Sequence, residues 1–186
     1  MVATESTMMK LGTRAPDFEL TDTVSGRKMG LEELRGAKGT LVMFICNHCP
    51  FVIHIKDGLV KLGKEYAGSG VSIVAINAND IVNYPDDSPD KMKAMAEREG
   101  YVFPYLFDET QAVARAYGAV CTPDLFLFDG DLKCAYRGQF DSSRPSNSEP
   151  VTGADVRRAM DQLIAGEAVP AEGQMPSIGC NIKWKS

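Results

Sequence analysis

Two cysteines separated by two residues, Cys46-Asn47-His48-Cys49, are the part of this chain whose types and spacing point to chemistry. A thiolate attacks sulfur readily. A second thiol two residues on reaches the first across one turn and resolves a mixed disulfide without large motion. The run Leu41-Val42-Met43-Phe44-Ile45 before the pair is continuously apolar, as in a central strand covered on both faces. After it, Val52, Ile55, Leu59, Leu62 and Tyr66 recur at steps of three and four, one face of a helix. The dithiol therefore falls between the carboxyl end of a strand and the start of a helix. Unpaired N–H groups and the helix dipole there favour a thiolate, and open α/β sheets place their ligands at that end.

The same spacing is half of a zinc site. Its completion needs a second Cys or His pair, but Cys121, Cys134 and Cys180 are isolated and the only histidines are His48 and His54. No metal and no bound cofactor is therefore expected. C-x-x-C beside a strand–helix–strand pattern reads as a redox pair.

The elements that must position the pair are legible from pattern. Ala15 to Leu20 alternates and meets Ser25-Gly26, a short hairpin, with a helical turn at Leu31 to Leu34. Gly68 and Gly70 end the long helix, and Val71 to Ile76 is a second buried strand. Ser88-Pro89 opens a helix that presents Met92, Met95 and Ala96 and stops at Gly100. Asp108-Glu109-Thr110-Gln111 has the form of a capping box before a short helix. Leu125 to Phe128 and Lys133 to Tyr136 flank Asp129-Gly130, a hairpin signal, and a last helix follows Thr152. The expectation is one α/β domain over residues 1–186 with a central mixed sheet flanked by helices. A hairpin extension occupies 1–38 and a Pro/Gly-containing tail 167–186.

Apolar residues make up 44% of the 186 and charged ones 24%, ordinary for a globular protein. A net charge of −5 with no block of Lys or Arg argues against nucleic acid or an anionic membrane as partner. The apolar runs are too short to span a bilayer. Met1 to Thr7 lacks the pattern of a secretory signal, so a cytoplasmic setting is expected, where an odd set of five cysteines suits catalysis or core better than cross-linking.

Ala15-Pro16-Asp17-Phe18, the strand Leu41 to Ile45 and Cys46-Asn47-His48-Cys49-Pro50 resemble the redoxin branch of the thioredoxin superfamily, which holds peroxiredoxins and thioredoxin-like reductases. Thr122-Pro123 is similar to the cis-proline segment of thioredoxins. Asn77-Ala78-Asn79-Asp80 and the terminal Ile178-Gly179-Cys180-Asn181-Ile182-Lys183-Trp184 resemble a bacterial peroxiredoxin-like group. The resemblance implies a thioredoxin-like fold and two alternative chemistries. By the thioredoxin pattern Cys46 attacks and Cys49 resolves. By the peroxiredoxin pattern T-x-x-C-P, Cys49 before Pro50 is the peroxidatic residue and Cys46 resolves. This sequence departs from the second pattern twice. Cys46 replaces the threonine, and Cys121-Thr122-Pro123 stands where an arginine is expected, leaving only Arg115 or Arg137 as distant substitutes.

The leading expectation is thus thiol–disulfide exchange with Cys46 as nucleophile and Cys49 as resolving residue; Asn47, His48 and Pro50 tune the pair. Thr122 and a cis Pro123 dock an extended substrate strand by main-chain hydrogen bonds. An imidazolium at His48 favours a Cys46 thiolate, for a couple on the order of −120 to −220 mV. Electrons come from a thioredoxin- or glutathione-type partner. Cys180 is a possible third redox cysteine, and Cys121 and Cys134 are core. The alternatives are a thiol peroxidase and a non-enzymatic redox sensor. A copper-delivery role would need a distal histidine, and none follows His54.

Overall fold

The computed structural model describes residues 3–186; Met1 and Val2, at the start of the expected extension, lie outside the described residues. In chain order the elements are β1 (Ala3–Glu5), β2 (Glu19–Asp22), β3 (Lys28–Gly30), α1 (Leu31–Leu34), β4 (Gly39–Phe44), α2 (Pro50–Glu65) and β5 (Val71–Asn77). They continue as α3 (Pro89–Glu99), β6 (Tyr105–Phe107), α4 (Ala112–Tyr117), β7 (Cys121–Thr122) and β8 (Asp124–Asp129). Then follow β9 (Cys134–Gly138), α5 (Ala154–Ala165) and β10 (Ile178–Asn181). A short 3-10 turn, Pro85–Asp87, precedes α3.

The expected mixed α/β architecture is observed. Seven strands form the main sheet in the order β3-β2-β6-β5-β4-β8-β9. β4 runs parallel to β5 and antiparallel to β8, so it is paired on both sides, and all six of its residues are buried. Successive side chains of a strand point to opposite faces. Leu41, Met43 and Ile45 accordingly join α2, α3 and α5 in one core, while Val42 and Phe44 join Phe18, Tyr117, Phe126 and Phe128 in the other. The continuous apolar run foretold this two-sided burial.

The helix α2 buries Val52, Ile55, Leu59 and Leu62, the stripe its spacing predicts, and Gly100 closes α3 in the left-handed conformation. The expected N-terminal hairpin is β2–β3, and it extends the main sheet because β2 pairs with β6. One reading is corrected. The capping box before α4 does not form. Gln111 at the cap has φ +63° and turns its side chain inward, while Asp108 Oδ2 accepts the Ala114 N–H at 2.9 Å.

The Pro/Gly-containing tail holds β10. This strand pairs antiparallel with β1 on one side and β7 on the other, giving a second small sheet. Tethers follow it. The Gln111 amide donates to the Lys183 carbonyl at 2.8 Å, and the Lys183 N–H donates to Asn79 Oδ1 at 2.8 Å. Arg115 lies 4.2 Å over the Trp184 ring.

Asp124, at the start of β8, is 1% exposed. Burial holds its carboxyl well above the usual range, only partly offset by the N–H groups of Leu125 and Val120. A carboxyl whose pKa is raised on folding costs stability as pH climbs from its unfolded value, about 3.9. Relative to Asp124→Asn, the wild type should therefore lose about 1.4 kcal/mol per pH unit above about pH 4, until Asp124 ionises in the folded state. Urea unfolding of both proteins at several pH values reads this difference; a gap independent of pH would contradict it.

Candidate active site

The strand β4 ends at Phe44 and α2 begins at Pro50, so the Cys46-Asn47-His48-Cys49 segment is a loop and Cys49 is the N-cap. Proline at the first helical position suits a helix start, since its missing N–H would have had no partner there. The dithiol lies between strand end and helix start as expected, with Cys49 at the cap and Cys46 three residues earlier.

Three sulfurs meet. Cys49 Sγ lies 2.7 Å from Cys180 Sγ on β10, and the thiols of Cys46 and Cys49 are hydrogen-bonded to each other. The Thr122–Pro123 bond is cis, as expected. Thr122 touches both members of the pair, its hydroxyl 3.2 Å from Cys46 Sγ and its carbonyl 3.1 Å from Cys49 Sγ. Cys46, Cys49 and Cys180 are 1%, 0% and 2% exposed.

The electrostatics separate the two sulfurs of the motif. Cys49 is shifted well below an ordinary thiol, first by the hydrogen bond from Cys46 and then by those from Cys180 and the Val52 N–H; burial opposes them. The Thr122 carbonyl, which accepts from the thiol form, also opposes ionisation. Cys46 is shifted up, first by donating to Cys49, then by burial and by the charge of Asp87. These shifts favour the charge of the reduced pair on Cys49, whereas the sequence-based expectation gave the thiolate to Cys46.

Asp87, which the sequence analysis did not single out, adds to the upward shift of Cys46 after the hydrogen bond to Cys49 and burial. Its carboxylate is fully buried and accepts from the Asn47 N–H at 2.7 Å and from Asn79 Nδ2 at 2.8 Å. His48 Nδ1 lies 2.6 Å from the oxygen that accepts from Asn79. Burial disfavours the charge, but the bonds from His48, Asn79 and Asn47 outweigh it and hold the carboxyl below its ordinary range. His48, stacked 5.4 Å from the Tyr84 ring, pairs with Asp87, and a ring nitrogen of it lies within 4.8 Å of Cys46 Sγ. The Asn77-Ala78-Asn79-Asp80 loop buttresses Asp87 and at the same time holds Lys183 of the tail. Pro85-Asp86-Asp87 forms a 3-10 turn, and its composition carries no signal beyond that turn.

Asn47 is held by Tyr105, whose hydroxyl donates to its side-chain oxygen at 3.1 Å. Arg137 is tied to the Met9 carbonyl and Gln174, and Arg115 to Trp184, so neither supplies a cation to the sulfurs. Cys121 and Cys134 are buried, with their thiols pushed up by burial. His54 contacts Ser143 at 2.7 Å. Cys46, His48 and Asp87 bring one donor atom each within 4.8 Å of one another. Two of those donors already pair as His48–Asp87, and a tetrahedral zinc site takes four.

Residues 11–137 match the AhpC/TSA family. The chain belongs to that family. It is 34% identical over 130 residues to the thiol-disulfide oxidoreductase ResA of Geobacillus thermodenitrificans, covering 70% of each chain. The crystal structure of an uncharacterized conserved protein of Geobacillus kaustophilus is 57% identical, with a TM-score of 0.98 over 100% of this chain and 97% of that one. The thioredoxin domain of a thiol-disulfide oxidoreductase of Bacteroides vulgatus shares the fold at 19% identity, with a TM-score of 0.62 over 81% of this chain and 98% of that one. The thioredoxin-like fold expected from the motifs is thus observed.

The His48 imidazole is raised, first by its bond to Asp87, against burial. It should titrate above 6.5 in wild type and fall below 6.5 in Asp87→Asn, where burial remains and the carboxylate is gone. Its share of stability is fully present below about 6.5 and is lost as pH rises through its folded pKa. Imidazole proton shifts followed by NMR report both values. An unchanged His48 pKa in the variant would show that the pair carries no weight.

Proposed function

We propose that this protein is a thiol–disulfide oxidoreductase in which Cys49 is the attacking thiolate and Cys46 the resolving thiol. The observation that carries the assignment is the convergence of hydrogen-bond donors on Cys49 Sγ, with Asp87 keeping Cys46 protonated. Cys49 attacks a substrate disulfide, forming a mixed disulfide and releasing one substrate thiolate. Cys46 then attacks the Cys49 sulfur, releasing the second thiolate and leaving a Cys46–Cys49 disulfide. A thioredoxin- or glutathione-type thiol returns the pair to the reduced state. Asn47 and Pro50 hold the loop and the helix start, and His48 fixes the charge of Asp87. The name of the Geobacillus thermodenitrificans relative agrees with this class of reaction.

One observation favours a second reading, a thiol peroxidase. Cys49 directly precedes Pro50 and carries the charge, as the peroxiredoxin resemblance implied. Peroxide would convert Cys49 to a sulfenate, and Cys46 would condense with it, releasing water. Against efficient peroxide reduction stands the engagement of Arg115 and Arg137 elsewhere.

Reduction of insulin and of glutathione disulfide, with dithiothreitol as electron source, tests the assignment. Cys49→Ser should lose about 100-fold or more of the wild-type rate, because no other thiol of the pair is ionised. Full retention in Cys49→Ser with loss in Cys46→Ser would return the nucleophile to Cys46. Turnover of hydrogen peroxide without turnover of either disulfide would transfer the protein to the peroxidase reading.

A further inference from the structure

The edge of β7 at Thr122 is where an extended substrate strand was expected to dock. In the structure it is filled. The strand β10 pairs antiparallel with it, Cys180 opposite Thr122 and Asn181 opposite Cys121. The approach is so close that a Cβ on Gly179 would stand 2.0 Å from the Thr122 carbonyl oxygen and 3.0 Å from the Pro123 nitrogen. Both obstacles are backbone, so only glycine lets the strand lie there. The consequence is that Cys180 Sγ reaches 2.7 Å from Cys49 Sγ.

From this geometry we infer that the C-terminal strand is a built-in substrate strand and that Cys180 is a second resolving thiol, competing with Cys46 for Cys49. The inference rests on Cys49 as the reacting sulfur. The arrangement reproduces what a docked partner would present: a strand on the Thr122 edge, with its cysteine against the nucleophile. A disulfide needs its sulfurs at about 2.05 Å, and the present separation closes with a shift well under 1 Å. The strand is also anchored on both sides. β1 pairs along its outer edge, the Ser6 N–H donates to the Ser177 carbonyl at 2.9 Å, and Lys183 is held by Asn79 and Gln111. Cys180 is therefore presented to Cys49 in the reduced protein without any rearrangement of the chain.

The chemistry balances with a disulfide as oxidant. Cys49 thiolate attacks glutathione disulfide, forming Cys49–glutathione and releasing one glutathione thiolate. Cys180 gives up its proton to that thiolate and attacks the Cys49 sulfur. The Cys49–Cys180 bond forms, the bond to glutathione breaks, and a second glutathione thiol leaves. Two protein thiols are oxidised and one disulfide is reduced to two thiols.

The test compares Cys46→Ser, Cys46→Ser/Cys180→Ser and Cys46→Ser/Cys49→Ser, each reduced and then exposed to glutathione disulfide. Intact mass and non-reducing peptide mapping read the products. Cys46→Ser should carry no glutathione on Cys49 and should yield the peptide pair cross-linked between Cys49 and Cys180. Cys46→Ser/Cys180→Ser should instead accumulate glutathione on Cys49, at least about 10-fold more than the single variant. Glutathione held equally on Cys49 in both would overturn the role of Cys180 while leaving Cys49 as nucleophile. Glutathione on Cys180 in Cys46→Ser/Cys49→Ser, with none on Cys49 in either of the others, would overturn the reading of Cys49 itself. Adding Gly179→Ala to Cys46→Ser provides an independent arm. In protein that keeps a cooperative thermal transition, the Cys49–Cys180 cross-link should drop and the Cys49–glutathione adduct should rise; an unchanged cross-link would count against the strand as its cause.

Discussion

On the proposed assignment to Cys49, the structure depends on how a negative sulfur is kept inside the protein. A buried charge without partners is expensive, and Cys49 has no exposed surface to hydrate one. The cost is met by donors from three directions: the Cys46 thiol within its own loop, the Val52 N–H of the helix it caps, and the Cys180 thiol from the far end of the chain. Each donor constrains a different part of the fold. The loop must hold its turn, α2 must begin at Pro50, and β10 must lie on Thr122. The third demand explains why a strand of four residues is clamped by two neighbours and then by Asn79 and Gln111.

The second charge of the site works by contrast. Asp87 is as deeply buried as Cys49 but faces Cys46, so it discourages ionisation of one sulfur while the donors encourage the other. The bond between His48 and Asp87 raises the imidazole and lowers the carboxyl, so each favours the charge of the other. A coupled set of this kind has no single residue that owns its titration, because moving one proton redistributes the others. Substitution at Asp87 or His48 should therefore be read at both sulfurs.

Much of this fold was legible because its signals are periodic and local. The stripe of α2, the run of β4 and the proline and glycine that bound α3 each rest on residues close in sequence. The dithiol was legible for the same reason. What escaped was non-local. The strand β10 consists of Ile178-Gly179-Cys180-Asn181, too short and too glycine-bearing for an alternation pattern, and its partners β1 and β7 are as short. Asp87 sits in a turn whose composition already accounts for itself, and only the packing of β5 against that turn turns its carboxylate inward. Gln111 read as part of a cap because its positive φ is not encoded in residue type. Pro50 marks the first helical position, so the place of Cys49 at the cap is also legible from local sequence.

Filling the Thr122 edge also divides substrates by size. A protein disulfide that binds as an extended strand must first displace β10, breaking its pairing with β7 and drawing Cys180 away from Cys49. A small disulfide would not need that edge, and Asn47 and His48 in the loop between the two sulfurs are only half-buried. On the proposed reading, displacement would remove Cys180 and leave Cys46 as the resolving thiol, whereas a small disulfide that leaves β10 in place would keep both thiols available. The same dithiol would then follow different exchange paths according to whether its partner needs the edge that the chain already occupies.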